Sequence, residues 1–324
     1  MFEQLSLFED LTLDGKIKRS IDVIKLAAEM SEHYYKKPLL VCYSGGKDSD
    51  VLLDIAKRAN ISFEVMHSLT TVDAPPTVQH IKAVFKELQE SGIKAEIKKP
   101  TDKDGNPVSM WRLIPARKMP PTRRVRYCCA VLKEASTPSR FVCLGVRRSE
   151  SSKRATRKEF EVPGLQTQNA IRYDFEHVFE NYEISLENEG QKNAEVWDCK
   201  IISNAKGNND LICNPLIYWN DADVWEYAER FDVEMNPLYN MGYSRVGCVG
   251  CPMGGGDHQK REFEDFPVYR KNYIKAFERM IQERKKNGLS CQWETGEEVM
   301  NWWVGDQIKE PETIEGQETL FEEV

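Results

Sequence analysis

The stretch Val41-Cys-Tyr-Ser-Gly-Gly-Lys-Asp-Ser decides the fold of this chain. An apolar run over residues 38–43 precedes its two glycines, and residues 50–56 carry apolar side chains at helical spacing. This order predicts a buried strand, a tight turn and a helix. The backbone amides of Gly45, Gly46 and Lys47 would point to one spot beside the positive end of the helix dipole. Such a turn is a binding site for phosphate.

The side chains of the same stretch suit an anionic ligand. Lys47 adds a cation, and Ser44 and Ser49 add hydroxyl groups. The spacing excludes a Walker A loop, which needs four residues between its first glycine and Gly-Lys-Ser/Thr. Ser-Gly-Gly-Lys-Asp-Ser instead resembles the PP-loop of the ATP pyrophosphatase superfamily. This resemblance implies cleavage of ATP between its α and β phosphates, or binding of adenylyl sulfates.

Strand patterns alternate with helix patterns along the chain. Helices are predicted over residues 16–35, 77–89 and 268–286, and further strands over 62–67, 95–98, 141–146 and 211–216. This alternation predicts an α/β fold with a doubly wound, mostly parallel sheet. With the PP-loop resemblance, an adenine nucleotide alpha hydrolase-like domain is expected, followed by a C-terminal helical extension.

Changes in composition and in periodicity divide the chain into regions. Residues 1–14 are expected to be a flexible N-terminal segment, and residues 15–254 are expected to be the nucleotide-binding domain. An insertion carrying a short hairpin interrupts this domain at about 159–209, where the sequence is rich in Asn, Glu and Gln. Residues 255–305 are expected to be a helical region, and residues 306–324 are expected to be a flexible acidic tail.

Composition narrows the class of protein. The chain has 324 residues and no apolar stretch of about 18 residues, so no membrane span is expected. Its N-terminus lacks the pattern of a signal peptide, which predicts a cytoplasmic location. Nine cysteines, an odd number, favour reduced thiols or metal ligands over a disulfide framework.

Charge is distributed unevenly along the chain. The net charge is −7, yet residues 112–158 hold fourteen Lys and Arg against two Glu. Many of these cations flank the apolar strand at 141–146, and strand ends line the ligand crevice of an open parallel sheet. We therefore expect an anionic ligand here, with nucleic acid as a further candidate partner of the basic region.

Two cysteine pairs form a second constellation. Cys128 and Cys129 are adjacent, and Cys248 and Cys251 form a Cys-x-x-Cys turn. Four thiolates suit a [4Fe–4S] cluster or zinc. Adjacent cysteines are strained as ligands of one zinc ion, whereas a cluster offers separate iron corners, so the cluster is favoured. Reduced structural or redox thiols remain an alternative.

With both constellations, residues 16–273 resemble the phosphoadenosine phosphosulfate (PAPS) reductase family. The matching motifs are the PP-loop, the two cysteine pairs, Gly145-Val-Arg-Arg-Ser-Glu-Ser with Arg154, and Trp219-Asn-Asp-Ala-Asp-Val-Trp. A pair of adjacent cysteines with a Cys-x-x-Cys turn holds [4Fe–4S] in the cluster-bearing adenylyl sulfate reductases, and a similar cluster occurs in DNA phosphorothioation sulfurtransferases. Thr70-Thr-Val-Asp stands where the family usually has Asp-Thr-Gly near the nucleotide.

The resemblance implies roles for particular residues. The loop residues Ser44, Gly45, Gly46, Lys47 and Ser49 would hold phosphates, with Mg²⁺ shared by ligand and water. Asp48 would orient the loop or the metal, and Arg147 and Arg154 would neutralise a leaving pyrophosphate or a sulfonyl group. The remaining nucleotide-site candidates are Thr71, Asp73, Gly145 and Glu150.

One departure from the family pattern concerns the nucleophile. Its reductases end in Glu-Cys-Gly-x-x-His, but the one late cysteine here, Cys291, has neither the glycine nor a nearby histidine. The leading hypothesis is therefore adenylation or sulfur transfer. A cysteine desulfurase or a thioredoxin-like protein would be the sulfur donor. The alternatives are a thioredoxin-dependent reductase that uses Cys291, and a non-catalytic DNA-associated module.

Short motifs lie near both ends. Gln4-Leu-Ser-Leu-Phe8 resembles the pentapeptide by which bacterial proteins dock on the DNA sliding clamp, and Gln317-Glu-Thr-Leu-Phe321 is a looser version. A terminal segment would present Leu and Phe to an apolar pocket. The sliding clamp is therefore an expected partner.

Overall fold

The computed structural model describes residues 12–102, 104–133, 140–152, 154–161 and 211–305. The clamp-like pentapeptides, the acidic tail and all but the first residues of the predicted insertion lie outside these ranges. The chain forms two compact units, each assembled from separate stretches of sequence. Unit 1 comprises Met1–Leu69, Pro75–Pro100 and Leu132–Gly247, and unit 2 comprises Thr70–Ala74, Thr101–Val131 and Cys248–Val324.

Nine helices and six strands are found in the described residues. The helices are α1 (Leu13–Tyr35), α2 (Lys47–Arg58), α3 (Pro75–Glu90), α4 (Met110–Arg117), α5 (Tyr127–Leu132), α6 (Asp221–Arg230), α7 (Gly256–Asp265), α8 (Pro267–Lys286) and α9 (Gly296–Val304). The strands are β1 (Leu39–Cys42), β2 (Phe63–Ser68), β3 (Ala95–Lys98), β4 (Phe141–Cys143), β5 (Phe160–Glu161) and β6 (Leu211–Cys213).

The six strands make one sheet in unit 1, in the order β3-β2-β1-β4-β6-β5. All neighbouring pairs are parallel except β5 with β6. This confirms the predicted mostly parallel α/β class. From β1 the chain moves outward through β2 and β3, and it then returns to β4 on the other side of β1. Such a reversal opens the ligand crevice of a doubly wound sheet at the carboxyl ends of the strands.

Strand β5 was not predicted as a strand. Phe160 and Glu161 stand at the beginning of the predicted insertion and pair antiparallel with Cys213 and Ile212. A strand of two residues is too short to show the alternation of apolar and polar side chains from which strands are predicted. The pairing is instead supported by neighbours in the fold, such as the aromatic contact of Phe160 with Phe141.

Helices α1 and α2 form part of the core of unit 1. Thr12 caps α1 by accepting a hydrogen bond from the amide of Gly15 at 3.1 Å. Both helices bury an apolar face in the main hydrophobic cluster, with Ile24 and Ala27 from α1 and Leu52 and Ile55 from α2 among its fully buried members. Helix α2 is thereby fixed, and the turn that precedes it is fixed with it.

Unit 2 is built on packed aromatic rings. Trp303 of α9 is fully buried against Phe263, Tyr273 and Phe277, and its indole N–H donates to the carbonyl of Pro121 at 2.6 Å. This cluster joins α7, α8 and α9 to the stretch that precedes the first cysteine pair. Within the described ranges, no helix has the length and hydropathy needed to cross a membrane.

Candidate functional site

The turn between β1 and α2 has the geometry predicted for the glycine loop, Ser44 to Ser49. Gly45 lies in the left-handed region with φ of +74°, and a Cβ there would lie 2.9 Å from the side chain of Ile81. Glycine is therefore required for both conformation and space. Gly46 is the N-cap residue of α2, so the loop ends at the positive pole of the helix.

The polar groups of the loop already have partners within the protein. The Gly46 amide donates to the hydroxyl of Ser49 at 3.1 Å, and that hydroxyl donates to the Gly46 carbonyl at 2.7 Å. The Lys47 amide donates to the hydroxyl of Tyr239 at 2.9 Å. A phosphate that takes up these amides would replace hydroxyl oxygens, which are neutral and weaker acceptors.

Four charged side chains surround the loop. The Lys47 ammonium lies 3.1 Å from the Asp221 carboxylate and 3.9 Å from that of Asp48. The Arg147 guanidinium donates to Asp48 at 2.6 Å and to Asp221 at 3.0 Å. Lys47 and Arg147 are both buried. We call these four residues the loop ion network.

The two carboxylates of the network respond differently to their surroundings. Burial raises the pKa of Asp48, and the opposing effects of Arg147 and Lys47 do not outweigh it. Burial also acts to raise the pKa of Asp221, but hydrogen bonding and charge from Lys47 and Arg147 lower it overall. Asp221 is the more exposed partner, with 64% of its side chain accessible.

The other predicted residues of unit 1 lie at different distances from the loop. A Cβ at Gly145 would lie 3.0 Å from the Asp48 carbonyl, so this glycine allows the chain after β4 to pass the first turn of α2. Glu150 accepts from the Arg147 amide at 3.0 Å and forms an ion pair with Arg154. Among the described residues, no ion pair or hydrogen bond joins Arg154 to the loop.

Among the described residues, Asn236 and Tyr239 form hydrogen bonds with the loop and Asp221 an ion pair, and these contacts were not predicted. The Asn236 side-chain amide, fully buried, donates to the Gly45 carbonyl at 2.6 Å. Asp221 lies in the Trp219–Trp225 motif, which is one of the motifs that resemble the PAPS reductase family. Its place in this motif was the one signal in the sequence that could have marked Asp221 as a site residue. No sequence pattern connects Asn236 or Tyr239 to a loop almost 200 positions earlier.

Below the loop lies a buried polar network that the sequence analysis also missed. Tyr43 donates its hydroxyl to Asp50 at 2.5 Å, and the Nε2 atom of His80 lies 3.0 Å from the same oxygen. Burial, followed by the charge of Asp50, raises the pKa of Tyr43. The network links the end of β1 to α2 and α3, the elements next to the loop, and so helps to hold the loop in place.

The four predicted cysteine ligands all belong to unit 2. Cys128 and Cys129 lie in α5, whereas Cys248 and Cys251 flank a turn in which the Cys251 amide donates to the Cys248 carbonyl at 3.1 Å. The pKa of the Cys128 thiol is raised by a hydrogen bond with Cys129, by burial, and by the charges of Cys129, Cys248 and Cys251. The Arg123 guanidinium, five positions before Cys128, donates to the carbonyl of Pro252, which follows Cys251, at 3.1 Å. The two pairs therefore lie near each other, and we call them the cysteine quartet.

Polar groups from the same unit contact the quartet. The Arg126 guanidinium donates to the Cys129 sulfur at 3.3 Å, and the Cys248 thiol donates to the Thr70 hydroxyl at 3.5 Å. Over the residues that the structure describes, no three Cys, His, Asp or Glu side chains converge as a set for one metal ion. Four neighbouring sulfurs match the donor set of an iron–sulfur cluster, whose iron corners lie apart from one another.

Thr71 and Asp73 also belong to unit 2. Asp73 accepts from the Thr70 amide at 2.9 Å and pairs through its backbone with Cys248. Thr71 has φ of +67° and accepts from the amide of Met110, the first residue of α4, at 3.0 Å. Both side chains thus stabilise the turn beside the quartet, and their predicted role near a nucleotide stays a prediction.

Cys291, the predicted nucleophile of the reductase hypothesis, lines a cavity of about 450 Å³ in unit 2. Trp293 and Trp302 also line this cavity, and their ring centroids are 5.0 Å apart. The Cys291 side chain is partly exposed. Of the described residues, neither a histidine nor a member of the quartet lines this cavity.

The sheet order and the glycine loop define an α/β protein of the PP-loop class. The family model for the phosphoadenosine phosphosulfate reductase domain matches residues 38–253. This range covers the sheet and both cysteine pairs. The chain belongs to the phosphoadenosine phosphosulfate reductase family, as the sequence motifs predicted.

Relatives and solved structures are similar at low identity. An uncharacterized protein of Methanocaldococcus jannaschii is 24% identical over 78% of this chain, which spans 43% of that protein. The adenosine 5'-phosphosulfate reductase of Anoxybacillus flavithermus is 22% identical over 74% of this chain and 81% of its own. The U34-tRNA thiolase NcsA of Methanococcus maripaludis, solved with its [4Fe–4S] cluster, has a TM-score of 0.41 and 14% identity, covering 86% of this chain and 83% of that chain.

Proposed function

We propose that the glycine loop binds the phosphates of ATP or of an adenylyl sulfate, and that the protein cleaves ATP between its α and β phosphates. The observation that carries this proposal is the loop itself, with Gly45 at φ of +74° and the buried Lys47 at the start of α2. Helix α2 directs its positive pole to the same place.

The proposed reaction transfers the adenylyl group to an acceptor. A nucleophilic atom of the acceptor attacks the α-phosphorus, and the bond from phosphorus to the oxygen that bridges the α and β phosphates breaks. That oxygen leaves with the electron pair as part of pyrophosphate, and the acceptor loses its proton to solvent. Lys47 and Arg147 would stabilise the charge that develops on the phosphates. Asp48 would hold Arg147 in place or take part in binding Mg²⁺.

We further propose that the cysteine quartet holds a [4Fe–4S] cluster. Four neighbouring thiols in one unit support it, and so does the Arg126 guanidinium, which can donate to a charged sulfur. Zinc is the weaker candidate, because the adjacent Cys128 and Cys129 suit separate corners better than one ion. When bound, the cluster would supply a site at which sulfur is held for transfer to the adenylated acceptor.

The experiment is a product assay on protein purified without oxygen. Incubation with ATP, Mg²⁺, a sulfur donor and candidate acceptors is expected to yield AMP and pyrophosphate in equal amounts. Lys47→Ala should abolish this yield, whereas Lys57→Ala, which alters an exposed lysine of the same helix, should not. ADP and phosphate as products would contradict the proposal. Nucleotide binding without any turnover would favour the non-catalytic module.

The second candidate is a thioredoxin-dependent adenylyl sulfate reductase that uses Cys291 as nucleophile. Membership in the reductase family favours it. The residue directly after Cys291 is not glycine and no histidine is nearby in the sequence, which weighs against it. Thioredoxin-dependent release of sulfite, lost in Cys291→Ser, would establish this reaction. Equal activity of wild type and Cys291→Ser would exclude it.

The partners follow from the proposed chemistry and from sequence motifs. A cysteine desulfurase or a thioredoxin-like protein would supply sulfur or electrons, and the basic region is a candidate site for nucleic acid. Its arginines differ in the structure: Arg123, Arg124 and Arg126 are exposed, whereas Arg147 is buried in the loop ion network. The cytoplasmic location stays a prediction.

Docking on a sliding clamp rests on the pentapeptide motifs. Binding through so short a segment is expected at micromolar affinity, about −8 kcal/mol. Deletion of residues 1–8 should weaken binding, and the double variant Phe8→Ala with Phe321→Ala should abolish it. Surface plasmon resonance resolves such fast dissociation, and wild-type affinity in the double variant would refute docking.

A further inference from the structure

The charges around the glycine loop cancel one another. Lys47 and Arg147 bring two positive formal charges, and Asp48 and Asp221 bring two negative ones in direct contact with them. Arg154 is likewise matched by Glu150. A triphosphate adds several negative charges to a partly buried site, and such charges are costly without partners. The loop ion network by itself therefore has no surplus of positive charge for a polyphosphate.

The segment from Asn236 to Gly247 forms one wall of the loop. Asn236 donates to the Gly45 carbonyl, and Tyr239 accepts from the Lys47 amide. Farther along the segment, a Cβ placed on Gly46 would lie 3.9 Å from the Cβ of Val246. The segment thus contacts the loop through Asn236 and Tyr239 near its start and through Val246 near its end. All of these contacts lie within unit 1.

Arg245 lies in this wall, directly before Val246. It is exposed, and it forms no ion pair, side-chain hydrogen bond or ring contact with any residue that the structure describes. It differs in this from Arg147, which is buried and donates to two carboxylates. An arginine side chain one residue from the contact with Gly46 is long enough to reach a ligand on the loop.

We propose that Arg245 binds the β and γ phosphates of ATP and supplies the positive charge that the loop ion network lacks. This inference rests on the proposed nucleotide binding by the glycine loop. A guanidinium group donates two parallel hydrogen bonds to phosphate oxygens, which gives both charge and orientation. Lys47 and Arg147 share their charge between the loop phosphates and their carboxylate partners, and Arg245 contacts the part of the nucleotide that leaves as pyrophosphate.

The test measures the affinities of ATP, pyrophosphate and AMP by titration calorimetry with Mg²⁺, on full-length protein purified without oxygen. Arg245→Gln is expected to weaken ATP and pyrophosphate binding by about tenfold or more. AMP binding should stay within about twofold, because AMP lacks the contacted phosphates. Arg245→Lys, which keeps the charge but not the planar group, should show an intermediate loss.

The matched control is Arg230→Gln, which alters another exposed arginine of unit 1, one paired with Asp14. It should bind all three ligands like the wild type. An ATP affinity within about twofold of wild type in Arg245→Gln, or equal losses for ATP and AMP, would overturn the inference. Lys47→Ala separates the two proposals: if it loses ATP while Arg245→Gln does not, only the role of Arg245 fails. If wild type binds no ATP, both proposals fail.

Discussion

The glycine loop of unit 1 and the cysteine quartet of unit 2 differ in how far their functional groups are buried and paired within the protein. Around the loop, Lys47 and Arg147 are buried and already paired with carboxylates. Around the quartet, the sulfurs are partly exposed and their described contacts include hydrogen bonds of 3.3 Å and 3.5 Å. A ligand of the loop must therefore compete with protein partners, whereas a ligand of the quartet would supply most of the bonding that its sulfurs make.

This difference predicts which changes matter for stability and which for binding. Gly45 and Ser49 of the loop are buried, and Gly45 lies against the side chain of Ile81, so changes to the loop backbone should affect folding. The quartet should depend on what it binds, because a ligand that binds only the folded state stabilises it by mass action. The predictions below test this contrast in order of expected size.

The largest effect is expected for the quartet. Cys129→Ser or Cys251→Ser should abolish the brown colour and the absorbance near roughly 400 nm of protein purified without oxygen, and remove about four irons per chain. Cys291→Ser is the control, since this cysteine lies outside the quartet and is also partly buried. Iron analysis and absorbance spectra measure the result. Stoichiometric zinc without iron in the wild type would contradict the cluster.

A smaller effect is expected for the backbone of the loop. Gly45→Ala places a Cβ 2.9 Å from Ile81 at φ of +74°, so it should lower the free energy of unfolding by about 2–4 kcal/mol. Gly92→Ala is a matched control, because its φ is +79° but no atom lies within 4 Å of the new Cβ. It should cost about 1 kcal/mol, from conformation alone. Equal midpoints in urea for both variants would show that close approach at Gly45 has no energetic role.

The smallest effect is expected for the competing carboxylate. Asp221→Asn leaves Lys47 and Arg147 with one negative partner instead of two, so ATP affinity should rise by roughly threefold. Asp14→Asn, which alters an exposed acid paired with Arg230, should leave it unchanged. Titration calorimetry at low salt measures both. Weaker ATP binding in Asp221→Asn would show that Asp221 assists the ligand instead of competing with it.

The same residue has a pH dependence with a defined sign. The pKa of Asp221 is lowered in the folded protein, since Lys47 and Arg147 outweigh burial. Its ion pairs therefore stabilise the fold above the ordinary aspartate pKa, and this contribution disappears as the pH falls through the lowered value. Because the side chain is largely exposed, solvent screens the pairs and the change in unfolding midpoint should be small.

Much of the fold could be predicted because several helices and strands show a continuous pattern of apolar and polar residues in the sequence. The strand, loop and helix around Gly45 were predicted closely, and β3 was predicted over the residues it occupies, because each is encoded by a continuous pattern. The prediction placed the start of α3 at Thr77, whereas the helix starts at Pro75, since proline is tolerated in the first turn. Local patterns could not predict the two units, because each unit combines separate stretches of sequence, such as Thr70–Ala74 in unit 2.

The candidate site was predicted from motifs but not from its contacts. Lys47, Asp48 and Arg147 were predicted, and the structure joins them in one network. That Asp221 completes this network could not be predicted, because a pairing over more than 170 positions depends on how β4 and α6 are placed by the sheet. Asn236 was missed for the same reason. Long-range hydrogen bonds leave no periodic trace in a single sequence.

Calorimetric titration of ATP into wild type and Lys47→Ala shows whether the glycine loop binds the phosphates of ATP. The variant should keep its fold and lose about 2–4 kcal/mol of binding free energy, because a charged group that contacts phosphate is removed. Lys57→Ala should match the wild type, since its ammonium is paired with Glu87 on the surface. Equal ATP affinity in wild type and Lys47→Ala would show that the glycine loop does not bind the phosphates of ATP.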